Sequence, residues 1–423
     1  MTTQMIIALV IVILMIGMIM SDKFAFGAPP LVAGILMVLT GIAPIKDVFA
    51  GFIDPNVVMI AGFLAVMAGL QKTRFMGQIQ SVMSNLASKG GFKAYVLLLL
   101  VVMLGASLMS GTGYYVMVLT IAAAIPYNKG LPNSKLVMPL GFATSRALVP
   151  VSVAFFVGMA NSLLQSGKFD GTVPMAQFSL MSLFMSVGFL IWALIAYRIL
   201  PDHDVNKDSV VENKKTVESC VLPLWKEVVT YIVFTVSVIG MMFATKLGEV
   251  AYILPAAGTA VLCFIKVFDF KEARQNIFSP LVIMMASVIG VANALANTGF
   301  TKMVGDNIAS SMGSNINPFL LVFVFCLLTS ACATITGASI GSLFIFAPIG
   351  IATCMSLGLN PTALAAAITV SAWGGGFLPI DGLPAMILGI GKYKLSQFFK
   401  FTIPMYFFQL IALTIGAVLL FPM

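Results

Sequence analysis

Apolar runs long enough to cross a bilayer recur along this chain, divided by short polar joints, and nothing else in the sequence restricts the fold as much. IIALVIVILMIGMIM near the start is one such run. A hydrocarbon core of about 30 Å takes roughly 20 apolar residues per helical crossing. With 60% hydrophobic and 9% charged residues, the chain lies outside the range of soluble domains. The runs are uniformly apolar rather than alternating, which excludes a β-barrel. The expected class is therefore an all-α polytopic membrane protein. The first run lacks a basic flank and is followed by Ser21, Asp22 and Lys23, so it reads as a spanning helix and not as a cleaved leader.

Twelve segments emerge, six on each side of a polar stretch, PDHDVNKDSVVENKKTVESC. The organisation expected is a first half at 1–198, a linker at 199–223 and a second half at 224–423. The linker holds His203, the only histidine, and reads as a solvated connection rather than a catalytic segment. The five cysteines show no paired spacing, and no metal or redox centre is indicated. No HExxH or GxSxG pattern occurs, which argues against an intramembrane enzyme.

Two segments, 94–127 and 317–352, are too long for one crossing, and small polar clusters interrupt them: LMSGTGYY and TITGASIG. Backbone that leaves the helix at membrane depth must face protein or water, so each segment is expected to be a re-entrant hairpin. The halves also resemble each other. DPNVVMIAGFLAVMAGLQKTRF from Asp54 aligns with SPLVIMMASVIGVANALANTGF from Ser279, pairing Leu70 with Leu295, Thr73 with Thr298 and Phe75 with Phe300. Duplication around discontinuous segments points to a secondary transporter built as an inverted repeat.

The basic residues set the orientation. With the N-terminus outside and each hairpin returning to its own side, eighteen of the 23 Lys and Arg fall inside. Only Lys46, Lys168, Lys246 and Lys302 fall outside, and Arg146 lies within a span. The linker is then cytoplasmic, and the net charge of +8 needs no nucleic acid to explain it. Phe75 to Ala87 and Phe300 to Met312 read as amphipathic interfacial helices.

After each hairpin a long apolar segment is expected to break again, at FFVGMANSLLQSG (155–167) and at FLPIDGLPAMILG (377–389). Such breaks release carbonyls for a cation and present half-helix N-termini to an anion. Two ionisable residues lie in otherwise apolar spans. Arg146, in GFATSRALVPVSV, is either a counter-charge for a substrate carboxylate or a structural partner. Asp381 is either a cation site, titratable or sodium-binding, or the ion-pair partner of Arg146.

VFAGFIDPNVVMIAGFLAVMAGLQKTRF, SKLVMPLGFATS and above all FLPIDGLPAMILGIGKYKLSQFFKFTIPM resemble the divalent anion/sodium symporter family, the dicarboxylate and citrate carriers of the ion transporter superfamily. The likeness runs over about residues 30 to 420. It implies a homodimer in the cytoplasmic membrane, with a scaffold domain and a transport domain that moves as an elevator. The family's Ser-Asn-Thr tips, which bind substrate carboxylate and help hold sodium, become Ser110-Gly111-Thr112 in the first hairpin. In the second they become Thr336-Gly337 or Ala338-Ser339. The family's Gly-Thr-Pro-Pro-Asn becomes Gly158-Met159-Ala160-Asn161-Ser162 in one half and Asp381-Gly382-Leu383-Pro384 in the other.

The resemblance thus implies a substrate site at Ser110, Gly111, Thr112, Arg146, Asn161, Ser162, Thr336, Gly337, Ala338, Ser339, Gly382 and Pro384. Cation coupling would fall to Asp381, Ser110 and Asn161. No cofactor is expected beyond Na+ or H+ as coupling ion, and the degraded tips favour proton coupling or exchange over strict sodium symport. The substrate is expected to be a small di- or tricarboxylate. A cation/proton antiporter or a sulfate carrier is the alternative.

Overall fold

The computed structural model describes residues 2–20, 24, 27–108, 112–125, 131–150, 153–205, 222–243, 247–312, 317–336, 339–379 and 382–423. The first half gives α1 (Thr3–Met20), α2 (Ala28–Leu39), α3 (Ile45–Val48), a 3-10 turn (Ala50–Ile53), α4 (Pro55–Gln71) and α5 (Phe75–Lys89). It continues with α6 (Gly91–Leu108), α7 (Thr112–Ala124), α8 (Ser134–Ala143), α9 (Ala154–Ser166) and α10 (Met175–Ala196). The second half gives α11 (Leu224–Met242), α12 (Glu249–Phe264), α13 (Phe270–Ile277), α14 (Pro280–Asn297) and α15 (Phe300–Met312). Then come α16 (Pro318–Thr336), α17 (Ser339–Ser356), α18 (Thr362–Ser371), α19 (Gly382–Ile390) and α20 (Leu395–Leu420). Among the described residues there is no strand, and seven stretches are long and apolar enough to cross a bilayer.

The sequence repeat starts at matched helix caps. The Asp54 carboxylate accepts from the Asn56 and Val57 amides, and Pro55 opens α4; the Ser279 hydroxyl accepts from the Val282 amide, and Pro280 opens α14. A side-chain acceptor followed by proline is a strong start signal, because it satisfies free N–H groups and presets φ. The two helices are therefore fixed at equivalent registers.

Both predicted hairpins fold back. Tyr114 donates its hydroxyl hydrogen to the Val102 carbonyl at 2.6 Å, although an unbroken helix would separate residues twelve apart by about 18 Å. Gly105 makes room for this closure, since a Cβ there would lie 2.2 Å from the Tyr114 hydroxyl oxygen. In the second hairpin α16 packs along α17, and a Cβ on Gly350 would lie 3.1 Å from the Phe325 ring.

The halves are interleaved. α2 packs on α14 of the other half, and α12 packs on α4. Backbones approach closely where the halves meet: a Cβ on Gly62 would sit 2.4 Å from the Ala256 nitrogen of α12, and one on Gly290 of α14 1.6 Å from the Val48 carbonyl oxygen at the end of α3. In a bilayer, where apolar burial drives helix pairing only weakly, such small-residue contacts supply the packing. The last helix of each half, α10 and α20, runs against the other, with Gly188 beside Ala412 and the Trp192 indole donating to the Phe401 carbonyl at 2.9 Å. Two ion pairs, Lys72 to Glu272 at 2.6 Å and Arg74 to Glu227 at 3.5 Å, tie the end of α4 to α13 and α11.

Candidate functional site

The second helix break overlaps the stretch expected at 377–389: 372–379 are out of helix between α18 and α19, although α19 takes up 382–389. The first break does not overlap its expected stretch. Residues 155–167 were expected to unwind, yet α9 runs unbroken through Ala154–Ser166, and the described residues 144–150 and 153, between α8 and α9, are out of helix instead. The small and polar residues of GMANS have other uses. Gly158 lets α9 approach α4, where a Cβ would meet Ile60 Cδ1 at 2.6 Å and Asn56 Cβ at 3.1 Å. Asn161 spends its amide on the extended chain before α10, accepting from the Val173 amide at 2.6 Å and donating to the Val173 carbonyl at 3.4 Å. Proline explains the true break better, because Pro150 offers no N–H to continue a helix.

Each break docks on the first arm of its own hairpin. In the first, the Leu148 amide donates to the Met103 carbonyl at 3.1 Å and the Val149 amide to the Ser107 hydroxyl oxygen at 2.9 Å, both on α6. In the second, Gly375 lies so close to α16 that a Cβ would fall 1.8 Å from Thr334 Oγ1. Gly376 adopts φ +88 and sits under Phe142 of α8 and beside Pro384 of α19. Glycine tolerates that left-handed backbone at little cost.

Arg146 joins the two breaks. It lies in the first, is 6% exposed, and donates from Nη2 to the Gly374 carbonyl of the second at 3.4 Å. Nη1 donates to the Ser145 carbonyl and hydroxyl oxygens at 3.0 and 3.1 Å. Nε and Nη2 both donate to Gln409 Oε1 on α20, at 3.1 and 2.7 Å. Among the described residues every partner of this cation is neutral. A buried guanidinium bound only by neutral oxygens keeps its full charge in a weakly screening interior, and that favours an anion nearby.

Gln409 was not among the residues expected from sequence. It is fully buried, and its Nε2 has no hydrogen-bond partner. The signal was faint but present. Thr402, Tyr406 and Gln409 follow i, i+4, i+7 spacing, which puts three polar side chains on one face of an apolar helix. Thr402 donates to the Phe377 carbonyl in the second break at 3.2 Å, and Tyr406 shares a 2.7 Å hydrogen bond with Ser330 on α16.

Of the other expected site residues, Ser110, Gly111, Gly337, Ala338 and Asp381 lie outside the described residues, as do the side chains of Thr112 and Thr336. Thr112 and Gly382 open α7 and α19, and Thr336 and Ser339 flank the second tip. Ser162 is buried in α9 with its hydroxyl unpartnered. Asn161 stands seven residues into α9, about 10 Å along the axis from the first break. Arg146 and Pro384 are thus placed at the breaks, and Asn161 and Ser162 away from them.

A family model described as CitMHS, citrate transporter, matches residues 15–251 and 240–423. The uncharacterized transporter YfbS of Escherichia coli (strain K12) is 30% identical over 137 residues, 32% of this chain. The match spans 22% of that relative's length. Two solved structures share the fold. The YdaH transporter of Alcanivorax borkumensis, noted for an unusual topology, superposes with TM-score 0.62 at 16% identity, covering 91% of this chain and 88% of that one. MtrF of Neisseria gonorrhoeae, from a class of antimetabolite efflux pumps, gives 0.61 at 15% identity over 91% and 84%.

Proposed function

The chain belongs to the citrate transporter family, and from that premise we propose that this secondary transporter carries small di- or tricarboxylates across the cytoplasmic membrane. The observation that carries the reading is Arg146, a buried cation between the two helix breaks whose partners among the described residues are all neutral. A carboxylate held there takes charge-assisted bonds from a group that stays protonated. α6, α16, α20 and the described parts of the breaks surround this region, and movement of the hairpin and broken-helix group against the interleaved helices would alternate its access, as an elevator.

The test is uptake of labelled citrate, succinate and malate into proteoliposomes under imposed sodium, proton or counter-substrate gradients. Accumulation under at least one gradient supports the reading; no accumulation under any of them overturns it. Sulfate satisfies the same guanidinium, so competition by sulfate in this assay separates an inorganic from an organic anion carrier. Cation/proton exchange predicts instead a cation-driven pH change without anion.

We propose that Asp381 carries the coupling, as a proton or sodium site; the alternative is an ion pair with Arg146, in which case Asp381→Asn leaves the coupling dependence unchanged. If it carries the proton, Asp381→Asn abolishes the pH dependence of uptake; if it binds sodium, the same variant removes sodium dependence. We place the N-terminus outside and the linker inside, a topology that labelling of single cysteines from either side checks. A homodimer, the expected assembly, is tested by mass measurement in detergent or nanodiscs.

A further inference from the structure

Three features of the Arg146 and Gln409 contact are incomplete in the same way. The Nε and Nη2 edge of a guanidinium presents two parallel N–H groups that fit the two oxygens of a carboxylate, yet here one amide oxygen, Gln409 Oε1, receives both. The guanidinium has no counter-charge among the described residues. The other end of the same amide, Gln409 Nε2, is an unspent donor on a fully buried side chain.

We infer that Gln409 is a neutral placeholder on the substrate's edge of Arg146: one carboxylate of the transported anion displaces Gln409 Oε1 and takes both N–H groups, and Gln409 Nε2 then donates to that carboxylate. This rests on the carboxylate reading above and makes Gln409 a specificity-determining residue. One carboxylate completes all three features. It fills the two-donor edge, neutralises the cation and gives the amide nitrogen an acceptor. Neutrality at position 409 is essential to the exchange. A glutamate there would occupy the edge permanently and cancel the charge that attracts substrate, whereas glutamine holds Arg146 in place without competing as an anion. Ser145 and Gly374 bind the remaining donors, so the guanidinium stays oriented while the edge changes hands.

The experiment compares Gln409→Glu and Gln409→Ala with the unaltered protein in proteoliposomes, using citrate and succinate, with thermal melting in detergent as the check on folding. Gln409→Glu should melt no lower than the unaltered protein yet lose at least about tenfold in uptake, the equivalent of one charge-assisted contact. Gln409→Ala should keep uptake with a raised KM, because the edge is then open and only the auxiliary donor is missing. Wild-type KM in Gln409→Glu overturns the inference, and so does equal loss in both variants when both remain folded. If the unaltered protein takes up neither anion under any gradient, the carboxylate reading itself has failed. Uptake by the unaltered protein together with unchanged KM in Gln409→Glu refutes the placeholder alone.

Discussion

The two helix breaks occupy equivalent places in the repeat and are built from different chemistry. The first carries side chains: Arg146 reaches across to Gly374 of the second and to Gln409 of α20, and the Ser107 hydroxyl of α6 receives the Val149 amide. The described part of the second, 372–379, meets its neighbours through backbone, with Gly374 offering a carbonyl and Gly375 and Gly376 allowing close approach to Thr334 and Phe142. A duplicated frame can thus divide its labour: the described part of one copy supplies a cation, and that of the other supplies room and acceptors. The junction is asymmetric although the scaffold around it is not.

Breaking the charged side should have the largest effect. Arg146→Ala leaves Gln409 and Gly374 without their donor, at about 1–3 kcal/mol for each buried polar group left unpaired, and removes the one buried cation among the described residues of the breaks. Melting in detergent should fall and uptake should vanish. Arg146→Lys restores the charge but not a fork able to reach Gln409, Ser145 and Gly374 together, so uptake should recover only partly.

The bare side is broken by bulk. Gly375→Ala places a methyl against Thr334 and should destabilise the fold by about 1–3 kcal/mol, the usual cost of overpacking. Adding Thr334→Ala should recover most of the melting temperature, because it empties the space the methyl needs. Full stability of Gly375→Ala alone would mean that the second break does not bear on α16.

A smaller effect sharpens the comparison. Ser107→Ala removes the acceptor of the Val149 amide, worth about 1 kcal/mol, and should loosen the first break in amide exchange while leaving the second unchanged. The smallest effect belongs to Lys72→Ala. Its partner Glu272 is half exposed, and a solvated ion pair contributes about 0–1 kcal/mol, so melting should barely move.

Much of this frame was legible in the sequence because membranes leave few options. Uninterrupted apolar runs become helices, and the small polar clusters of the sequence fall between the paired helices α6 and α7 and between α16 and α17. The repeat was visible from Asp54 and Ser279 because a cap followed by proline states a helix start locally. The first break was misplaced because Gly158 and Asn161 look like helix breakers when only their neighbours in sequence are considered. What they do depends on Asn56, Ile60 and Val173, which only the fold brings close. Gln409 was passed over for a related reason. One amide in a long apolar helix reads as incidental until the helix is known to face Arg146.

The interleaving of the halves bears on how the chain is made. α1 and α2 leave the ribosome early, but the surface that covers Ala33 and Met37 includes Val291, Ala294 and Leu295 of α14. About 250 residues must be synthesised between α2 and its partner, and contacts so distant in sequence form late. Until then the first two helices wait in lipid with one flank bare. The first half expressed alone should therefore be a substrate for quality-control proteases, and co-expression with the second half as a separate chain should protect it.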